Sequence, residues 1–207
     1  MGKRETIEQV IEQKLVAVIR GTTPEEAIAL IKGAVEGGIQ LIELTYTTPY
    51  VEDVFREVRD LDVVIGAGTV LDSETARHAI LNGAKFIVSP SFSEDIAKMC
   101  NRYTIPYFPG CMTIKEMVIA LESGCEVLKL FPANNFEPSF IRSVMGPLPY
   151  VQIMPTGGIN ANNMGQWLDA GAVAVGIGSD LNRAYQTGGM EAVIEAARVY
   201  SNNLKQG

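Results

Sequence analysis

The sequence predicts an α/β protein, a compact single-domain (β/α)8 barrel with an N-terminal helix, and three observations carry that prediction. Eight short apolar runs recur with starts 20 to 26 residues apart. Amphipathic helical patterns with recognisable start signals lie between them. Four of the runs are entered through a glycine at a fixed offset, so the period of the repeat is two β/α units. A doubly wound open sheet is the competing arrangement, but near-equal spacing of eight units and the lack of a GxGxxG after the first run weigh against it.

The predicted strands, in order, are Leu15–Ile19, Leu41–Leu44, Val63–Gly68, Phe86–Ser89, Pro106–Pro109, Val127–Phe131, Val151–Pro155 and Val173–Ile177. Four to seven residues without polar alternation describe a strand covered on both faces. Thr23-Pro24-Glu25-Glu26 supplies an N-cap, a first-turn proline and first-turn acids for the helix after the first strand. Asp72, Ser93, Thr113 and the Asn162-Asn163 pair open later helices, and Thr113 with Glu116 fits a capping box. Gly38, Gly83, Gly124 and Gly171 each read as a helix-ending residue just before the second, fourth, sixth and eighth strands. Eight such units account for 207 residues, so residues 1–207 are expected to form one domain.

Composition narrows the function classes. With 17 Lys+Arg against 24 Asp+Glu the net charge is −7, and no basic block is present, which argues against nucleic acid and anionic membranes as partners. Three cysteines without a CxxC pair, Cys100, Cys111 and Cys125, predict packing rather than disulfides or structural zinc; they are expected on a helix, in a loop and at a helix end. The charged N-terminus, Met1 to Gln13, lacks an apolar signal core, so a cytoplasmic protein is expected. His78, the single histidine, falls mid-helix and is expected to face solvent; Trp167 and Met164 read as core packing.

A barrel enzyme carries its site at the carboxyl ends of its strands. There the sequence places Arg20, Glu43 with Thr45, Thr69, Ser89, Pro109, Lys129, Thr156 and Ser179. Strand period 2 turns Leu128 and Leu130 toward the helices, and Lys129 inward with Val127 and Phe131; Glu43 points inward between Leu41 and Thr45. Two charges inside apolar strands are costly unless paired. The pairing has a chemical use: taking an ammonium out of water favours the neutral amine, and only that form adds to a carbonyl carbon. A neighbouring carboxylate then moves protons. Thr156-Gly157-Gly158 after the seventh strand and Gly176-Ile177-Gly178-Ser179 after the eighth predict a backbone cradle for phosphate. No metal or organic cofactor is expected.

Read in order, these motifs resemble the 2-dehydro-3-deoxy-6-phosphogluconate / 4-hydroxy-2-oxoglutarate (KDPG/KHG) aldolase family. The resemblance spans nearly the whole chain through Ala17-Val18-Ile19-Arg20, Ile42-Glu43-Leu44-Thr45, Gly66-Ala67-Gly68-Thr69-Val70, Phe86-Ile87-Val88-Ser89-Pro90, Pro109-Gly110, Leu128-Lys129-Leu130-Phe131-Pro132-Ala133 and Pro155-Thr156-Gly157-Gly158-Ile159. It implies a homotrimeric class I, metal-free lyase with Lys129 as the Schiff-base lysine and Glu43 as general acid/base. Arg20, Thr69, Pro90, Phe131 and Thr156 would then bind substrate, and Gly157, Gly158, Gly178 and Ser179 the phosphate. The implied reaction cleaves 2-dehydro-3-deoxy-6-phosphogluconate to pyruvate and D-glyceraldehyde 3-phosphate, with 4-hydroxy-2-oxoglutarate, giving pyruvate and glyoxylate, as a further substrate. The galactonate epimer is the alternative substrate. A non-covalent phosphosugar isomerase or epimerase and a sugar-phosphate-binding regulatory subunit are the competing functions. Three positions depart from the family pattern: Thr47 where an Arg is common, Ile114 where a Pro often follows the Thr, and Leu130 where Phe is frequent.

Overall fold

The computed structural model describes residues 2–206; Met1 and Gly207 lie outside the described residues. Strands and helices alternate as predicted. The strands are β1 (Leu15–Ile19), β2 (Leu41–Thr45), β3 (Val64–Gly68), β4 (Ile87–Val88), β5 (Tyr107–Phe108), β6 (Gly110–Cys111), β7 (Val127–Leu130), β8 (Gln152–Pro155) and β9 (Val175–Ile177). The helices are α1 (Lys3–Gln13), α2 (Pro24–Glu36), α3 (Val51–Val58), α4 (Ser73–Leu81), α5 (Glu94–Tyr103), α6 (Ile114–Glu122), α7 (Ser139–Met145), α8 (Met164–Asp169) and α9 (Ser179–Gln206), the last broken into two helical stretches by the non-helical Gly188 and Gly189. All strand pairings are parallel, in two sheets ordered β5-β4-β3-β2-β1-β9 and β6-β7-β8. A parallel bridge between Thr156 and Gly176 joins the end of β8 to β9.

The fifth predicted strand is the one that changes. It is divided at Pro109 into β5, which pairs with β4, and β6, which pairs with β7. Pro109 has no N–H to offer a ladder, but its carbonyl still accepts from Lys129 N–H at 2.9 Å. Cys111, expected in a loop, therefore lies in β6 and is buried.

Helix starts follow their caps. Thr23 accepts from Glu26 N–H, Asp72 from Thr75 N–H and Ser93 from Ile96 N–H, and Thr113 with Glu116 forms the reciprocal capping box. The Asn162-Asn163 expectation fails in its chemistry: α8 begins at Met164 without a side-chain cap. The Asn163 side chain is occupied elsewhere, accepting from Asn160 N–H and donating to the Gly158 carbonyl at 2.9 Å. Gly38, Gly83, Gly124 and Gly171 all have φ between +81° and +108°, a conformation a side chain would strain, which is why glycine recurs there.

Apolar side chains segregate into two clusters on opposite faces of the strands. Leu15, Ala17, Ile19, Ile42, Leu44, Leu128 and Leu130 pack outward against the helices. Val16, Leu41, Val64, Phe86, Val88, Phe108, Val127, Met154 and Ala174 form the inner cluster, to which α1 adds Ile7 and Val10. Alternation along each strand produces this division, and it fixes the inward direction of Glu43 and Lys129.

Candidate active site

Glu43 on β2 and Lys129 on β7 are 86 residues apart in the chain, yet Lys129 Nζ donates to Glu43 Oε1 at 3.2 Å. Their side chains are 1% and 6% exposed, so the pair is held almost wholly out of water. Room for it comes from Gly68 on β3: a Cβ there would lie 2.2 Å from Glu43 Oε1. Lys129 Nζ stands 5.0 Å from the centroid of the Phe131 ring. Glu43 Oε2 and Thr156 Oγ1 are buried without a hydrogen-bond partner among the described residues. Unsatisfied buried polar atoms each cost about 1–3 kcal/mol, a cost that a bound polar substrate would relieve.

A cleft of about 470 Å³ opens at the Phe131 ring; Glu43 and Lys129 themselves do not line it. Phe131 and Thr156 line it, Phe131 with its ring centroid 5.0 Å from Lys129 Nζ, and Arg20 enters it from the end of β1. Gly157, Gly158, Gly178 and Ser179 line it as well. Gly157 and Gly158 have φ of +100° and +74°, and a Cβ on Gly178 would meet the Val18 carbonyl at 2.6 Å. These glycines bring bare backbone to the cleft, and α9 begins at Ser179, which puts the positive end of its dipole there.

Thr69 and Pro90 follow β3 and β4, at the same ends of the strands, and like Glu43 and Lys129 they do not line this cleft. Thr69 is half-buried with φ +57°, and the Pro90 carbonyl packs against Gly110, where a Cβ would come within 2.0 Å. Ser89 turns away from the inner face and bonds Tyr107 OH. Thr47 is exposed and shares a 3.0 Å hydroxyl contact with Thr45, so it brings no cation to the site. His78 is exposed on α4, with Nδ1 3.0 Å from Tyr46 OH.

Sequence reasoning missed Asn182, Arg183 and Gln186, which also line the cleft, and Asn163, which pins the Gly158 carbonyl. With Ser179, the first three stand at i, i+3, i+4 and i+7, a single helical face; that spacing was the available signal. Asn182 Nδ2 donates to the Arg20 carbonyl at 2.7 Å and so fixes the end of β1. Among the described residues no three His, Cys, Asp or Glu side chains cluster as metal ligands, and no helix is long and apolar enough to cross a membrane.

A buried amine against a carboxylate, with a glycine-lined cleft at the neighbouring Phe131, is the arrangement of an enzyme that works on carbonyl compounds. The family model "KDPG and KHG aldolase" matches residues 6–196, and the chain belongs to that family; it is a lyase of the aldolase type. Its relatives include the 2-dehydro-3-deoxy-6-phosphogalactonate aldolase of Escherichia coli K12, 34% identical over 84% of this chain and 86% of that protein. The 2-dehydro-3-deoxy-phosphogluconate aldolase of Treponema pallidum is also 34% identical, over 79% of this chain and 80% of its own. Among solved structures, the Legionella pneumophila KDPG aldolase with pyruvate captured as a covalent carbinolamine superposes with a TM-score of 0.81 at 27% identity, covering 91% of this chain and 94% of that one. A chain of a cube-shaped cage designed by fusing symmetric oligomeric domains superposes with a TM-score of 0.86 at 30% identity, over 94% and 73% of the two chains.

Proposed function

We propose that this protein cleaves 2-dehydro-3-deoxy-6-phosphogluconate to pyruvate and D-glyceraldehyde 3-phosphate through a Schiff base on Lys129. The observation that carries the reading is the buried 3.2 Å Lys129–Glu43 pair. As a structural device the pair is a poor investment, because well-packed apolar residues in its place are often as stabilising or more so.

Lys129 Nζ adds to the C2 carbonyl, Glu43 supplies the proton with which the carbinolamine loses water, and an iminium results. Glu43 next takes the C4 hydroxyl proton. The C3–C4 bonding electrons flow into the iminium, releasing the aldehyde and leaving an enamine of pyruvate. Glu43 returns the proton to C3, and water hydrolyses the new iminium. The buried Thr156 hydroxyl and the Phe131 ring hold the pyruvate portion, and Thr69 and Pro90 border the same strand ends. Arg20, the Gly157-Gly158 turn, Gly178 and Ser179 receive the anionic far end. The protein as a whole carries −7, so this local set of donors must do the attracting.

Support for a closed (β/α)8 barrel, residues 1–207 as one domain, comes from three features. β5 and β6 are separated by Pro109 alone, the Thr156–Gly176 bridge joins the two sheets, and the inner cluster draws on strands from both. A homotrimer is proposed on the family resemblance and the likeness to the oligomeric cage domain. Three free, buried cysteines fit a reducing cytoplasm. 4-Hydroxy-2-oxoglutarate fits the same chemistry without the phosphate. Equal identity to a galactonate-type relative favours the galactonate epimer as a second reading.

Borohydride reduction in the presence of pyruvate should add one reduced pyruvate to Lys129, with pyruvate release measured by a lactate dehydrogenase couple. An unchanged mass, or full activity in Lys129→Ala, would overturn the mechanism and favour non-covalent proton transfer. Turnover on the gluconate and galactonate epimers side by side assigns the substrate.

A further inference from the structure

We infer that Arg183 is a second guanidinium for the substrate's distal phosphate, closing on the anion together with Arg20. The inference rests on the aldolase reading and extends it to a residue outside the glycine cradle. Ser179, Asn182, Arg183 and Gln186 stand at i, i+3, i+4 and i+7 on α9, and all four line the cleft. Arg183 therefore lies one turn beyond Ser179 on the same helix face, roughly 6 Å along the axis. A guanidinium on that reach spans the distance to a phosphate seated at the helix start. Thr156, which is 6% exposed and whose Oγ1 has no partner, lines the same cleft and independently marks it as built for a polar ligand.

The way Arg183 is held suits a residue that must move onto its ligand. Its Nη1 meets Asp180 Oδ1 at 3.3 Å, with the two side chains 73% and 33% exposed. An exposed pair of this kind contributes little stability, so the guanidinium can exchange the carboxylate for phosphate at small cost. Asp180 would otherwise oppose an anion at the start of α9. Its other oxygen accepts from Tyr200 OH at 2.5 Å, and that bond holds the carboxylate when Arg183 turns to the phosphate. Asn182 bonds the Arg20 carbonyl from the same helix turn, which ties the two arginines to a common element. Arg20 itself has no ion-pair partner among the described residues. Two guanidiniums at one cleft are also what an acidic protein needs to collect an anionic substrate.

The test compares wild type, Arg183→Met and Arg183→Lys on 2-dehydro-3-deoxy-6-phosphogluconate and on unphosphorylated 4-hydroxy-2-oxoglutarate, with binding of inorganic phosphate measured by calorimetry on the same proteins. Arg183→Met should raise KM for the phosphorylated substrate and Kd for phosphate on the order of tenfold, leave the unphosphorylated substrate untouched, and be partly rescued by Lys. Unchanged KM and Kd, or equal losses on both substrates, would overturn the assignment. If the wild type cleaves neither compound nor the galactonate epimer, the aldolase reading fails. Loss of phosphate affinity in Arg183→Met then still upholds the anion site, and unchanged affinity removes it.

Discussion

Substituting Gly68 by Ala strikes the catalytic pair without touching either of its members. The added Cβ would lie 2.2 Å from Glu43 Oε1, 2.6 Å from Cγ and 2.8 Å from Cδ. The carboxyl arm must retreat by about 1 Å before these become ordinary van der Waals contacts. Glu43 is fully buried, so no solvent-facing rotamer is available to it. A shift of that size opens the 3.2 Å contact with Lys129 beyond hydrogen-bond reach. Overpacking of this kind costs about 1–3 kcal/mol of stability. Misplacing a proton-transfer group by about 1 Å costs on the order of a hundredfold in rate. The expected outcome is a folded enzyme with kcat for pyruvate release down roughly a hundredfold. Gly165→Ala serves as the control, since a Cβ at that helical position meets nothing within 4 Å. A Gly68→Ala enzyme with kcat within about threefold of wild type would refute the claim that this geometry positions Glu43 for catalysis.

Two further outcomes follow from hydrogen bonding and burial. Burial pushes the Cys100, Cys111 and Cys125 thiols up to about 12, so a disulfide reagent at neutral pH should label none in the native protein and all three after unfolding. Stoichiometric native labelling would contradict their packing. Glu116 accepts from Met112 N–H and from Thr113 N–H and hydroxyl, and these bonds hold its carboxyl below the usual 4.5. A depressed folded value means the stabilisation is complete above 4.5 and is lost as pH falls through the lower folded value. Glu116→Gln should therefore cost a few tenths to about 1 kcal/mol in urea unfolding at neutral pH, and the difference should shrink below pH 4.5. A cost that is constant across this range would remove the charge from the account.

The alternating architecture was legible because each unit repeats its signals. Thr23, Asp72, Ser93 and Thr113 cap the helices that their positions predicted, and the four periodic glycines adopt positive φ. Local chemistry suffices for such features, since a cap bonds three residues away and a left-handed turn concerns one residue. Pro109 shows the limit: an apolar run reads as one strand, whereas the missing N–H divides it between two neighbours that only the fold supplies. Asn163 shows another. As a helix-start residue it suggests a cap, but the approach of the Gly158 loop offers its amide a different partner.

For the site, strand alternation alone set which way Glu43 and Lys129 point, because neighbouring side chains must take opposite faces. It could not supply their 3.2 Å separation, which arises when strands 86 residues apart are brought to one interior. Nor could it supply the space at Gly68 or the orphaned oxygens of Glu43 and Thr156, since clearance and satisfaction depend on every surrounding element. The sequence by itself thus determined the residue types, their faces and the strand ends that carry them. Tertiary structure decided which of those ends share a cleft, admitting Arg20, Phe131 and Ser179, leaving Glu43, Thr69, Pro90 and Lys129 off its lining, and adding Arg183 from the last helix. The physical reason is range: periodicity and capping act within a turn or a strand, whereas a cleft is a volume left between elements and exists only once all of them are packed.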